Sequence, residues 1–312
     1  MPFQNQQART HSHVGPTAGR AGDFEIINCT NCGFAHALPL PSEEDLDLAY
    51  AQTYYREQKP DYAARAQEDA PWANMFYEDR LRGIEAALGK ANGASKSKPR
   101  LVDVGCGPGH FLKFVQDAGW TCEGVEPAEQ AARYAQGLGL TIHNQTLTSE
   151  WMKDQAPFDA AHCMNVLEHV RDPADMLRTM TLGLRTGGAI CVGVPNDFSA
   201  FQLAARKSGA PEWWLVPPHH LNYFTFDTLE ALLQRCGLTP VSRLTSFPME
   251  AFLLMGRDYI GQDAAGRALH QERKSFDSAL NALDPAIRRN FYSALAERGF
   301  GREAIIIARK EF

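Results

Sequence analysis

A glycine-rich turn is the feature that most constrains the fold of this chain. Its sequence is Asp103-Val104-Gly105-Cys106-Gly107-Pro108-Gly109, between an apolar run at 101–104 and helical spacing at 111–118. Such a turn between a buried strand and a helix lets the backbone approach a ligand and directs free helix N–H groups toward it. A dinucleotide loop would need a third glycine where His110 stands, and a phosphate loop would need Gly-Lys before Ser or Thr. The turn therefore predicts a ligand site of another kind on an α/β fold.

Strand and helix patterns alternate after this turn. Short apolar runs predict strands at 101–104, 122–125, 140–143, 160–164 and 189–194, and helical periodicity predicts helices at 128–138 and 175–184. A helix at 226–236 and strands at 240–246 and 303–309 are predicted to follow. This order predicts an α/β fold with a doubly wound, Rossmann-like, mostly parallel seven-stranded sheet and helical N-terminal and C-terminal additions.

The domain organisation follows from breaks in these patterns. Residues 1–60 are expected to form an N-terminal arm with a partial metal-binding module, and 61–98 a cover helix and linker. The α/β domain is expected at 99–312, where 256–300 carry helical spacing without a strand pattern and form a helical insertion.

Composition narrows the class of partner and compartment. The chain has 31 basic and 37 acidic residues, a net charge of -6, and no run of Lys or Arg, so we expect no nucleic-acid partner. It has neither an apolar stretch long enough to span a bilayer nor an apolar signal-peptide region at its start, which predicts a cytoplasmic protein without a membrane span. Its seven cysteines are an odd number, which argues against a disulfide framework.

The turn with its acidic residue resembles motif I of the class I S-adenosylmethionine-dependent methyltransferases. That resemblance implies that Asp103 organises the loop and the methionine amine, and that the loop backbone contacts the cofactor through Gly105, Cys106, Gly107 and Gly109. In the segment Gly124-Val125-Glu126-Pro127, a carboxylate after the next strand is suited to accept two ribose hydrogen bonds. Glu126 and Pro127 are therefore expected beside the ribose.

Further segments resemble the ubiquinone O-methyltransferases and many sugar and natural-product methyltransferases. These segments are 158–170, 184–188 and 218–226, and with motif I the resemblance covers about 100–245. It implies adenine contacts from the backbone of Thr146 and Leu147, where the acidic residue often seen in the family is missing, and a cofactor contact from Asn165.

Methyl transfer to a hydroxyl requires alignment and removal of one proton, for which an imidazole titrates in the right range. His169 follows the fourth strand at the ligand-binding edge of the sheet and is the first candidate for the base, although capping a helix is an equal alternative. His220 is the second candidate. His219, Asn222 and Tyr223 are expected to contact the acceptor, and Trp213 with Trp214 form either an acceptor platform or part of the core.

Cys29 and Cys32 have the spacing of half a zinc site. The remaining ligands must come from histidines, and His11 with His13 gives a workable set if the N-terminal arm folds back, with His36 as another candidate. A related Cys-x-x-Cys-Gly module precedes the methyltransferase domain of some sugar C-methyltransferases, where more cysteines bind zinc. Either a structural zinc or two free thiols fits this pattern.

The sequence as a whole predicts a methyltransferase that uses S-adenosylmethionine and modifies a small molecule. O-methylation of a sugar, glycan or related metabolite is expected first, and C- or N-methylation of a nucleotide-linked sugar or O-methylation of a quinone-like phenol are the alternatives. A noncatalytic regulatory protein with the same fold is the alternative of another class, and an NAD-dependent oxidoreductase is disfavoured by His110. A homodimer is the assembly to test.

Overall fold

The computed structural model describes residues 12–42, 68–89, 98–155 and 157–311. Its strands are β1 (Thr17–Ala21), β2 (Phe24–Cys29), β3 (Phe34–Leu38), β4 (Arg100–Val104), β5 (Thr121–Val125), β6 (Thr141–His143), β7 (Phe158–Met164), β8 (Leu184–Pro195), β9 (Asn222–Tyr223), β10 (Leu238–Leu244) and β11 (Glu303–Lys310). Its helices are α1 (Ala70–Leu88), α2 (His110–Asp117), α3 (Glu129–Gly137), α4 (Ser149–Asp154), α5 (Pro173–Gly183), α6 (Ala200–Lys207), α7 (Phe226–Arg235), α8 (Glu250–Leu254), α9 (Asp263–Leu283) and α10 (Pro285–Glu297).

The larger sheet has seven strands in the order β10-β11-β8-β7-β4-β5-β6. Its neighbours from β8 to β6 are parallel, and β11 runs antiparallel to both β8 and β10. Successive residues of a strand face opposite sides, so Leu101 joins the core under α1 and α2, while Val102 joins the core under α5 and α7. A doubly wound, mostly parallel seven-stranded sheet is confirmed.

The beginning of β8 differs from the sequence prediction. The sequence predicts this strand at 189–194, but β8 begins at Leu184. Gly187 has a φ of 73°, and the pairing of β7 with β8 shifts register between Phe158 and Ala160. A left-handed glycine and an irregular register allow the chain to bend while it stays paired, so the strand extends back to Leu184.

A second sheet of four strands has the order β1-β2-β3-β9, and the sequence did not predict it. Its last strand comes from a distant part of the chain, where Ala35 pairs with Tyr223 and His36 with Asn222. Ile26, Trp214 and Tyr223 belong to the core of this sheet. The pairing joins the Cys-x-x-Cys segment to the loop that precedes β9.

Helix α1 agrees with the predicted cover helix and packs against β8 and β11. Helices α9 and α10 occupy most of the region 256–300, in which helices were predicted. Arg288 of α10 joins this pair to α1, because both carboxylate oxygens of Asp79 accept hydrogen bonds from its guanidinium. Within the described ranges, no helix has the length and apolar character needed to cross a membrane.

Candidate active site

A cavity of about 750 Å³ opens at the carboxyl ends of β4, β5 and β7. Parallel α/β sheets bind ligands at this edge. The predicted cofactor residues that line it are Asp103, Gly105, Cys106, Gly107, Glu126, Pro127, Thr146, Leu147 and Asn165. The fold therefore brings together residues that lie far apart in the sequence. Gly109 is not part of the lining and forms the N-cap of α2.

The glycines of the turn are required by backbone conformation and by space. Gly105 and Gly109 have φ values of 68° and 78°, in the left-handed region that glycine adopts without strain. A Cβ on Gly105 would lie 2.4 Å from Cγ2 of Val166, and a Cβ on Gly109 would lie 2.6 Å from Cδ1 of Leu140. Both positions therefore exclude larger residues even before a ligand binds.

Glu126 is 3% exposed and holds the turn together. One carboxylate oxygen accepts a hydrogen bond from the N–H of Gly107 and the other from the N–H of Ala128, both at 2.8 Å. Burial raises the pKa of Glu126, and these two backbone donors partly offset the effect. Each oxygen has a second lone pair, so the carboxylate can also accept hydrogen bonds from a ligand in the cavity.

Asp103 is bonded to a histidine that the sequence analysis did not single out. Oδ1 of Asp103 lies 2.7 Å from Nδ1 of His162, and Nε2 of His162 lies 3.2 Å from a guanidinium nitrogen of Arg80. Arg80 can only donate, so Nε2 accepts and Nδ1–H donates to Asp103, which defines a neutral imidazole. Burial lowers the pKa of His162, the Asp103 carboxylate raises it, and the charge of Arg80 lowers it further.

The contact between Asp103 and His162 follows from the register in which their two strands pair. Asp103 on β4 pairs directly with His162 on β7, and a histidine within an otherwise apolar strand marks such a partner. Arg80 gave no comparable signal, because it reaches the cavity from α1. The ring of Phe111 stacks on His162 with centroids 3.9 Å apart.

Asn165 lies in the cavity wall with a φ of 55°. The left-handed region is costly for most side chains and is tolerated best by Asn and Asp, and such strain concentrates at functional sites. Its backbone N–H donates to the carbonyl of Gly193, which anchors the end of β7 to β8.

His169 lines the same cavity, at the end where β7 leads into α5. Its Nδ1 lies 2.6 Å from the carbonyl oxygen of His219, so this nitrogen carries the proton. In the neutral ring Nε2 is then the basic atom, and it lies 3.7 Å from a carboxylate oxygen of the buried Glu168. The ring of His220 meets that of His169 edge to face, with centroids 4.9 Å apart.

Asn222 and Tyr223 do not reach the cavity wall. The Asn222 amide donates to the carbonyls of Leu167 and Val170, and the Tyr223 hydroxyl donates to the carbonyl of His220. Both side chains are buried, so they hold the loop around His169 in shape. His219 and His220 do not contribute to the described lining either.

A family profile described as "Methyltransferase domain" matches residues 72–243, more than half of the chain. The chain belongs to the class I S-adenosylmethionine-dependent methyltransferases. The matched region includes the glycine turn, Glu126 and His169, together with β9.

Curated relatives of this methyltransferase include two ubiquinone biosynthesis O-methyltransferases. The one from Ruegeria sp. (strain TM1040) is 32% identical over 152 residues, which cover 46% of this chain and 62% of the relative. The one from Caulobacter sp. (strain K31) is 35% identical over 146 residues, covering 43% and 57%. The chain thus spans about three fifths of these relatives' length.

The fold of the methyltransferase also resembles a solved structure. The crystal structure of the plantazolicin methyltransferase BamL, in complex with a triazolic desmethylPZN analog and SAH, aligns with a TM-score of 0.51 at 15% identity. The alignment covers 86% of this chain and 97% of that one. At this identity the similarity concerns the fold.

Apart from the cavity, the methyltransferase has a cluster of four side chains with metal-ligand chemistry. Ligand atoms of His13, Cys29, Cys32 and His36 lie within 4.8 Å of one another. Nδ1 of His13 is 3.5 Å from Sγ of Cys32 and 3.0 Å from Nε2 of His36. Nδ1 of His36 is 3.2 Å from the Ala37 carbonyl, to which it can only donate, so Nε2 is the atom directed to the cluster. His11, the other predicted ligand, lies outside the described residues.

Proposed function

We propose that this protein transfers a methyl group from S-adenosylmethionine to a hydroxyl group of a small aromatic molecule. One observation carries the proposal: a single cavity contains the motif-I turn, Glu126, His169 and the aromatic rings of Trp72 and Phe76. The turn and Glu126 suit the cofactor, His169 is suited to accept a proton, and the two rings suit a flat apolar acceptor.

For the cofactor we propose roles that follow the geometry of the cavity. Glu126 and Pro127 contact the ribose, the backbone of Thr146 and Leu147 contacts adenine, and Asp103 with Asn165 faces the methionine part. The turn residues Gly105, Cys106 and Gly107 allow close backbone approach, while Gly109 starts α2. Bound S-adenosylmethionine supplies an electrophilic methyl group on a sulfonium.

In the proposed reaction, Nε2 of His169 accepts the proton of the acceptor hydroxyl. The acceptor oxygen forms a bond to the methyl carbon, and the bond from that carbon to sulfur breaks with its electron pair going to sulfur. The products are the methyl ether, S-adenosylhomocysteine and a protonated His169. The carboxylate of Glu168, 3.7 Å from Nε2, stabilises this charge.

A phenolic acceptor is better supported than the carbohydrate that the sequence favoured. Trp213 and Trp214, the expected sugar platform, pack in or against the core of the smaller sheet rather than lining the cavity. The cavity instead has Trp72, Phe76 and Tyr77 on the side of α1. The curated relatives are named for O-methylation in ubiquinone biosynthesis, which agrees with a phenol.

Calorimetry with S-adenosylhomocysteine, S-adenosylmethionine and NAD tests the cofactor part. We expect saturable binding of the first two only, weakened by Glu126→Ala and unchanged by Glu129→Gln, since Glu129 is exposed and pairs with Arg133. Absence of binding to both sulfur ligands would reject the proposal and favour a noncatalytic role.

Kinetics of two histidine variants test the base. With an acceptor identified in a phenol screen, His169→Gln should lower kcat by about 10²- to 10⁴-fold and leave affinity for S-adenosylhomocysteine unchanged. His220→Gln should have a much smaller effect, because His220 does not contribute to the described lining. The reverse ranking would assign proton removal to His220.

We also propose a structural zinc site in the N-terminal module within residues 1–60. Two thiolates and two imidazoles form a common tetrahedral zinc site, and His36 completes such a set with His13, Cys29 and Cys32. The hydrogen bond from His36 to the Ala37 carbonyl orients the ring as outer-shell partners of zinc histidines do. His36 thus takes the position that the sequence analysis gave to His11.

Zinc content per chain, measured by elemental mass spectrometry, tests this ligand set. We expect about one zinc per chain, lost in Cys32→Ser and His36→Ala and retained in His11→Ala. When cobalt replaces zinc, the protein should show a sulfur-to-cobalt charge-transfer absorption band, and this band should be lost in Cys32→Ser. Retention of zinc in His36→Ala with loss in His11→Ala would restore the His11 set.

Two further features belong to this proposal. A cytoplasmic location agrees with seven cysteines that form no disulfide. A homodimer stays a prediction, and light scattering of the purified chain would determine the assembly.

A further inference from the structure

Arg273 is a buried cation in the wall of the cavity. It lies on α9, is 8% exposed, and lines the cavity near Trp72, Glu303 and Ile305. Its Nε is buried without a hydrogen-bond partner, and within the described ranges its guanidinium makes neither a hydrogen bond nor an ion pair. The guanidinium carbon lies 4.6 Å from the centroid of the Trp72 ring.

The other two buried arginines of the described residues, Arg288 and Arg80, each donate at least one hydrogen bond, although Nε of Arg80 also lacks a partner. Arg288 is 0% exposed, and its nitrogens donate to Asp79, to Asn281 and to the carbonyl of Met75. Arg80 donates to His162. A buried charge without partners destabilises a fold, so an arginine held for structure alone acquires partners as Arg288 does.

The carboxylates around Arg273 are directed to other groups. Asp277, one turn along α9, accepts hydrogen bonds from Nε1 of Trp72 and from the hydroxyl of Tyr292. Glu303 accepts from the hydroxyl of Ser246. Burial lowers the pKa of Arg273, and the nearby Glu303 carboxylate offsets this effect in part.

We propose that Arg273 binds a carboxylate of the methyl acceptor, so that the acceptor is an aromatic hydroxy acid. The planar fork of a guanidinium matches a carboxylate in two parallel hydrogen bonds, and an aromatic ring attached to that carboxylate meets Trp72 and Phe76. This inference rests on the proposed function and specifies its acceptor. The other source of a carboxylate is the methionine part of the cofactor, for which Arg80, linked to Asp103 through His162, is the cation that we propose.

Ligand binding to variants at two arginines of α9 tests the inference. Protein saturated with S-adenosylhomocysteine is titrated with 3,4-dihydroxybenzoate and with 3,4-dihydroxybenzamide, its uncharged analogue. The wild type should bind the benzoate more tightly than the benzamide. Arg273→Gln should weaken binding of the benzoate by about 10- to 100-fold and leave binding of the benzamide unchanged. Arg267→Gln, exposed on the same helix, is the matched control.

The outcomes separate this inference from the proposed function. Equal affinity of both probes for the wild type, or binding of neither, overturns the carboxylate assignment while S-adenosylhomocysteine still binds. Arg273→Gln could instead weaken binding of S-adenosylhomocysteine but not of 5′-methylthioadenosine, which lacks the amino acid part. In that case Arg273 binds the carboxylate of the cofactor, and the inference is wrong. Failure of S-adenosylhomocysteine to bind the wild type rejects the proposed function itself.

A structural role for Arg273 is distinguished by stability. Arg273→Met removes a buried charge that lacks a partner, so the urea midpoint of the ligand-free protein should stay the same or rise. Arg288→Met should lower the midpoint, because it leaves the half-buried carboxylate of Asp79 without its partner. A fall in Arg273→Met as large as that in Arg288→Met would overturn the inference.

Discussion

At the scale of single residues, a chain of hydrogen bonds runs from Arg80 through His162 to Asp103, the acidic residue of the motif-I turn. His162 donates to the carboxylate and accepts from the guanidinium, so it connects an anion and a cation without carrying charge itself. Protonation of His162 would replace the hydrogen bond from Arg80 with a repulsion between two cations. The loop therefore depends on a neutral imidazole.

This arrangement predicts a pH-dependent stability. The unfolded chain binds a proton at His162 near its ordinary pKa of 6.5, whereas the folded chain has a lowered pKa, so stability falls as the pH drops below 6.5. The contribution reaches at most about 1.4 kcal/mol per pH unit. Urea unfolding between pH 7.5 and 5 should show a smaller pH slope for His162→Gln. An unchanged slope would mean that His162 titrates equally in both states.

At the scale of secondary-structure elements, Gly83 lies where α1 packs closely against the sheet. A Cβ on Gly83 would lie 2.1 Å from Cδ1 of Ile307, in β11. We expect Gly83→Ala to lower the free energy of unfolding by about 1–3 kcal/mol through overpacking. Gly137→Ala is the control: Gly137 lies in α3 with no atom within 4 Å of a new Cβ, and the change should stabilise by about 0.5–1 kcal/mol. Equal effects in urea unfolding would show that α1 shifts to accommodate the methyl group.

The smaller sheet links the proposed zinc site to the loop that carries His169. Strand β3, which carries His36, pairs with β9, and the N–H groups of Leu221 and Asn222 both donate to the carbonyl of Glu168. A metal ion that orders β3 should therefore also order the loop before α5.

Hydrogen exchange can detect this coupling. Removal of zinc by a chelator should speed exchange of the amides of Leu221 and Asn222, at the start of β9, because β9 loses an ordered neighbour in β3. Amides at 305–308 in β11, an interior strand of the larger sheet, should exchange as before and serve as the control. Unchanged exchange at β9 would separate the metal site from the active site.

At the scale of the whole molecule, sequence reasoning succeeded where the signal is local. The glycine turn, Glu126 and the alternation of strands and helices each depend on a few neighbouring residues, and they led to the confirmed fold and to the predicted cavity residues. Contacts set by tertiary structure were missed: Arg80 and Arg273 reach the cavity from helices outside the core pattern, and β9 joins β3 across most of the chain. Asn222 and Tyr223 have the polar composition of a binding loop, but their partners are backbone carbonyls that no sequence pattern displays.

The cavity contains residues from 72–80 of α1, from the turns of the large sheet and from α9, so a ligand that fills it contacts distant parts of one cooperative structure. A ligand that binds only the folded chain stabilises it by mass action, by about 2.7 kcal/mol at a concentration 100 times its Kd. We therefore expect the Tm to rise steadily with S-adenosylhomocysteine concentration and not with NAD. Glu126→Ala should shift this dependence to higher concentrations, and Glu129→Gln should not. A Tm independent of S-adenosylhomocysteine would mean that these elements do not enclose a cofactor, because binding to the folded state alone must change the unfolding equilibrium.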